Sequence, residues 1–115
     1  MNTTTAIGRL VAEPEMHFTA GGTPVTNMRI AIPRPGNAGG AVFIDVVCWE
    51  KLAEACAEHL GKGRQVAVAG RLDQNEWTGT DGSRHSRHQI VANQVDFLAA
   101  PHTKGAEPDA GVGED

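Results

Sequence analysis

One stretch of this chain repeats its apolar residues at helical spacing, and it stands between runs with the period of a strand. Residues 50–60 (EKLAEACAEHL) put Leu52, Ala53, Cys56 and Leu60 on one side and Lys51, Glu54 and Glu58 on the other, which predicts a helix. Gly61 and Gly63 stop it, with Lys62 and Arg64 near its negative end. Ahead of it, residues 25–32 (VTNMRIAI) set Met28, Ile30 and Ile32 opposite Asn27, Arg29 and Ala31. Residues 42–49 (VFIDVVCW) set Ile44, Val46 and Cys48 opposite Phe43, Asp45, Val47 and Trp49. Both patterns predict strands with one face in a core. Residues 6–12 predict an earlier strand, broken at Glu13-Pro14-Glu15 because Pro14 cannot continue a central ladder. Met16 to Thr19 is a brief extended piece, and the Pro- and Gly-dense residues 33–41 form a loop. After the helix, residues 65–72 predict a strand with Val66, Val68 and Leu72 inward, and Gly70 marks a bulge or sharp bend. Asp73 to Trp77 and Arg84 to Arg87 form the arms of a long hairpin around Asp81-Gly82, and residues 89–98 form the last strand.

Five strands with one helix between the third and fourth is the order of an all-β, five-stranded oligonucleotide/oligosaccharide-binding (OB-fold) barrel. A ferredoxin-like fold needs a second helix, which the sequence lacks. With 115 residues, the chain can bury a single modest core. That domain is expected over residues 1–99. Residues 100–115 have almost no large apolar side chain and are expected to be a disordered acidic tail.

The net charge is −4. Glu107, Asp109, Glu114 and Asp115 against Lys104 place most of it in the tail, and the globular part is nearly balanced. A nucleic-acid partner therefore requires a local basic face. Phe43 and Trp49 share their predicted strand face with Asp45, which marks that face as wet. Either a second layer or another subunit covers these rings, or they are exposed platforms.

Met1 to Thr5 carries neither the basic region nor the apolar run of a signal peptide, and no apolar run is long enough to cross a bilayer. A cytoplasmic protein is expected. Cys48, Cys56 and His59 do not supply converging zinc ligands, and both cysteines are expected to be buried structural residues. No nucleophile motif, phosphate loop or paired carboxylates appear, so neither catalysis, a metal nor a cofactor is expected. His85 and His88, beside Arg84 and Arg87, are read as added hydrogen-bond donors or weak positive charge.

Several stretches carry a resemblance: Ile7-Gly8-Arg9-Leu10, Gly22 to Asn27, Phe43 to Val47, Lys51 to Glu54, His59 to Gly63, Val68 to Leu72, Trp77 with Asp81-Gly82, and Asn93 to Phe97. Their order and spacing over residues 3–98 resemble the bacterial single-stranded DNA-binding proteins. The resemblance implies a homotetramer with single-stranded DNA wrapped on its surface, bases stacking on Phe43, Trp49 and Trp77. Stacking holds any base at about 1–3 kcal/mol each and favours single strands, whose base faces are free. Phosphates would be tracked by Arg9, Arg29, Arg34, Lys51, Lys62, Arg71, Arg84 and Arg87, so binding would weaken with salt. Of these, Lys51 and Lys62 match family positions, and the others are placed by outward parity or loop location.

Three departures stand against that pattern. Gly36 occupies the place of a family aromatic. Asp73-Gln74-Asn75-Glu76 replaces two basic residues before Trp77. The tail lacks the family's terminal Pro-Phe, which docks on replication and repair proteins. The expectation is weaker binding than in a housekeeping relative, as in a specialised paralogue. The alternative is a protein–protein adaptor of a replication-restart or DNA-processing complex.

Overall fold

The computed structural model describes residues 1–36 and 39–98. The expected acidic tail and the last residue of the expected domain lie outside them. The elements are β1 (Thr4–Leu10), β2 (Glu15–Phe18), β3 (Pro24–Pro33), β4 (Ala41–Trp49), α1 (Glu50–His59), β5 (Gln65–Thr78) and β6 (Arg84–Phe97).

Five of the strands close a ring. The sheet runs β1-β5-β6-β4-β3, and β1 returns to β3 through Arg9↔Ala31 and Leu10↔Ile30. All pairings are antiparallel except β4 with β6, which is parallel and spans only Asp45 to Val47. This is the expected OB-fold barrel. The extended piece after Pro14 is a sixth, short strand, β2, which adds to the free side of β3. The first strand begins and ends two residues earlier than the alternation predicts. The two predicted segments after the helix are one 14-residue strand, so the hairpin arm is a direct extension of the barrel wall.

Leu10, Met28, Ile30, Val46, Val66, Val68 and Ile90 fill the interior, and α1 contributes Ala53 and Cys56, followed by Leu60. Thr26 is the buried polar residue among those described. Its hydroxyl donates to the Ala53 carbonyl at 2.7 Å and ties the helix to β3. Cys48 and Cys56 are buried free thiols with sulfurs 3.9 Å apart. The hydrogen bond to Cys56, together with burial, pushes the Cys48 thiol well above its ordinary value.

The bulge expected at Gly70 is present. The register slips between Ala69 and Gly70, leaving Asn93 as the extra residue on β6. A Cβ on Gly70 would lie 2.1 Å from the Val91 carbonyl oxygen, so only glycine allows this approach.

Two expected side-chain placements are corrected. Leu72 is 40% exposed rather than inward, because β1 accompanies β5 no further than Gly70 and Leu72 stands beyond the rim. Val47 is buried rather than wet: β4 has neighbours on both sides there, Asn27 and Val91. No helix among the described residues is long and apolar enough to cross a membrane.

Candidate nucleic-acid interface

The short β4–β6 pairing explains why two large rings on β4 remain exposed. β6 touches β4 only at its middle, so Phe43 and Trp49 near the two ends each have a strand neighbour on one side alone. They are 51% and 45% exposed. Six residues apart on one face, they are separated by about 20 Å along the strand. Trp49 is presented at the turn into α1, where Glu50 takes a left-handed φ of 61°.

Trp77 lies on the hairpin arm and is 48% exposed. His85, its cross-strand partner, stacks on it with ring centroids 5.4 Å apart and planes inclined by 19°. The imidazole is held in turn at the hairpin tip. The Ser83 hydroxyl lies 2.9 Å from His85 Nε2 and donates to Asp81 Oδ1 at 2.6 Å. These contacts with Ser83 hold the Asp81 carboxyl below its ordinary value.

Between the rings lies a charged cluster that the sequence alone did not disclose. Asp45 faces Arg29 across the β3–β4 ladder, and Arg29 Nη1 donates to Asp45 Oδ1 at 2.9 Å. Arg87 Nε approaches Asp45 Oδ2 at 3.2 Å. The Arg29 guanidinium also sits 5.6 Å from the centre of the Phe43 ring, within cation–π range. Arg29, Asp45, Asn27, Trp77 and Arg87 line a shallow hollow of about 410 Å³, with Glu13 and Glu15 also on its wall. The signal that could have revealed the cluster was outward parity: Arg29 and Asp45 fall opposite each other once the two strands are paired.

The other cationic candidates do not line this hollow. Arg9 donates to the Gly63 carbonyl at 3.0 Å and braces the α1–β5 loop. Lys62 is on that loop, its backbone amide donating to Glu13 Oε2. Arg84 pairs with Glu76 at 3.7 Å, so one acid of the Asp73–Glu76 stretch is partly neutralised. Arg34, Lys51 and Arg71 are exposed and make no ion pair among the described residues. Lys51 follows the Trp49 platform by two residues, on the first turn of α1. Gly36, expected to stand in the place of a family aromatic, has a left-handed φ of 72°. No cluster of three or more His, Cys, Asp or Glu able to hold a metal occurs among the described residues.

Exposed rings and guanidinium groups share the wall of an OB-type barrel, and the model of the single-strand binding protein family matches residues 1–98. The chain belongs to that family. Among its relatives, the single-stranded DNA-binding protein of Caldanaerobacter subterraneus subsp. tengcongensis is 38% identical over 117 residues, covering 98% of this chain and 73% of the relative. That of Clostridium tetani is 39% identical over 102 residues, covering 85% and 70%. That of Oceanobacillus iheyensis is 34% identical over 115 residues, covering 96% and 71%.

Proposed function

We propose that this protein binds single-stranded DNA without sequence preference, as a binding protein rather than a catalyst, in replication, recombination or repair. The observation that carries this reading is the half-exposure of Phe43, Trp49 and Trp77 around the β4 face of a family barrel. Exposed rings offer π-faces to any base, at about 1–3 kcal/mol per stack. Arg29, Arg87 and Lys51 lie beside the rings and contact phosphates. Arg34, Arg71, Arg84, Lys62 and Arg9 extend the path less directly, since Arg9 already serves the Gly63 carbonyl.

Residues 1–99 form the binding domain in this reading, and the protein acts as a homotetramer. Without an aromatic at Gly36, one stack is missing, and affinity falls below that of a relative with the full pattern. Three half-exposed rings favour this reading over the adaptor alternative, which has no use for them.

The test is quenching of Trp49 and Trp77 fluorescence by oligo-dT at several salt concentrations, with duplex DNA as control. Strong quenching by the single strand that declines with salt is expected. No quenching at low salt would overturn the reading.

A further inference from the structure

We infer that Asp45 is a positioning residue and a built-in charge damper of the DNA path: it holds Arg29 and Arg87 in place and cancels half of their combined charge. The inference rests on the reading of the β4 face as that path.

The geometry is specific. Each carboxylate oxygen is engaged by a different arginine, Oδ1 by Arg29 at 2.9 Å and Oδ2 by Arg87 at 3.2 Å. The two cations come from different strands, β3 and β6, so the carboxylate between them fixes their separation. One contact keeps Arg29 near the Phe43 ring, and the other keeps Arg87 on the wall of the hollow that Trp77 lines. The Asp45 side chain is only 22% exposed, less than either partner, so water screens it less than an open surface pair.

The consequence is electrostatic. Two free arginines would present two positive charges to a passing backbone, whereas with Asp45 between them they present one. A phosphate that engages either guanidinium shares it with, or displaces, a carboxylate already bonded to it. The strand thus meets pre-ordered donors at reduced net charge. Such a face retains geometric preference for a strand threaded between the rings while lowering non-selective attraction to polyanions.

The signature is the salt dependence of binding. For single strands, log K falls with log salt at a slope of about −0.7 per phosphate neutralised. Asp45→Asn restores one positive charge, so the slope should steepen by about 0.7. At the lowest salt, affinity for oligo-dT should rise roughly fivefold, the effect of one charge at contact distance in water. At high salt, the variant and wild-type lines should converge. Asp45→Glu keeps the charge and should keep the wild-type slope. A purely structural role for Asp45 predicts weaker binding by Asp45→Asn at every salt concentration.

The experiment titrates the full chain and the variants Asp45→Asn, Asp45→Glu and Phe43→Ala with oligo-dT across a salt series, after thermal melts. An unchanged or shallower slope for Asp45→Asn, or a slope for Asp45→Glu that steepens to match it, overturns the inference. Phe43→Ala separates the two levels. If it weakens binding while Asp45→Asn keeps the wild-type slope, the damper alone fails. If Phe43→Ala binds like wild type, the β4 face is not the path and the underlying reading fails with it.

Discussion

Replacing Gly70 with alanine adds a single methyl group on β5 where it would run into the β6 backbone. The added Cβ would stand 2.1 Å from the Val91 carbonyl oxygen, 2.8 Å from its carbonyl carbon and 2.8 Å from Ala92 Cα. All three are backbone atoms, so no rotamer change relieves the contact. The strands would have to separate by roughly 1 Å or more to restore an ordinary contact. Over-packing that side chains can accommodate costs about 1–3 kcal/mol, and a backbone clash belongs at the upper end. The lower entropy of an unfolded alanine returns about 0.4–1 kcal/mol. The net loss should be about 2 kcal/mol, which in a domain of this size lowers the melting temperature by roughly 8–16 °C. Melts followed by circular dichroism should be run at matched protein concentration, since self-association adds apparent stability. Gly8→Ala is the internal comparison, because its nearest contact, the Ala31 carbonyl oxygen, lies at 2.6 Å and the clash is milder. A loss below about 0.5 kcal/mol for Gly70→Ala, or a larger loss for Gly8→Ala, would refute the reasoning. Because β5 continues directly into the hairpin arm, Gly70→Ala should also misdirect Trp77 and weaken oligo-dT binding where the variant remains folded.

Glu50 at a φ of 61° strains the turn that presents Trp49, so Glu50→Gly should raise stability by about 0.5–1 kcal/mol, read as a shifted denaturant midpoint at constant slope. Cys48 and Cys56 are fully buried, so a thiol reagent should label neither in the native protein and both after unfolding; rapid native labelling of either would contradict the packing. Asp81 should make the hairpin tip acid-sensitive. Its carboxyl titrates below the ordinary 3.8, so its contribution is complete above 3.8 and is lost as the pH falls through the lowered folded value. Amide exchange at Ser83 should therefore be steady in its protection above 3.8 once intrinsic rates are corrected, and lose protection below it.

Much of the barrel was legible because β3 alternates cleanly through Asn27 to Ile30 and α1 is the one element of helical period among the described residues. Gly70 announced the bulge, although the extra residue sits across from it on β6. That slip explains why the last strand shows no single alternation. Ile90 and Ala92 face inward on one side of Asn93, and Val95 does so on the other side with the opposite parity. The exposed rings Phe43 and Trp49 were also readable, since Asp45 marks their face. The misplacements of Leu72 and Val47 have a different origin. Parity gives the direction of a side chain, whereas burial depends on which neighbouring strand runs alongside and for how long. The ion-pair cluster was hidden for a related reason, because joining Arg87 to Asp45 requires the parallel β4–β6 contact between segments about forty residues apart in sequence.

That contact also sets an order of events during synthesis. β4 has no full pairing on its β6 side until the chain has been extended past residue 91, and the barrel half of β5, Val66 to Gly70, lacks its complete β6 neighbour until residue 97 has been made. A nascent chain therefore carries an incomplete sheet with an open edge through the production of its last strand. Phe43 and Trp49 flank that edge, and apolar rings beside unpaired backbone groups invite pairing with another chain. Chains released between residues 50 and 90 should aggregate more than chains released after residue 97, at equal expression.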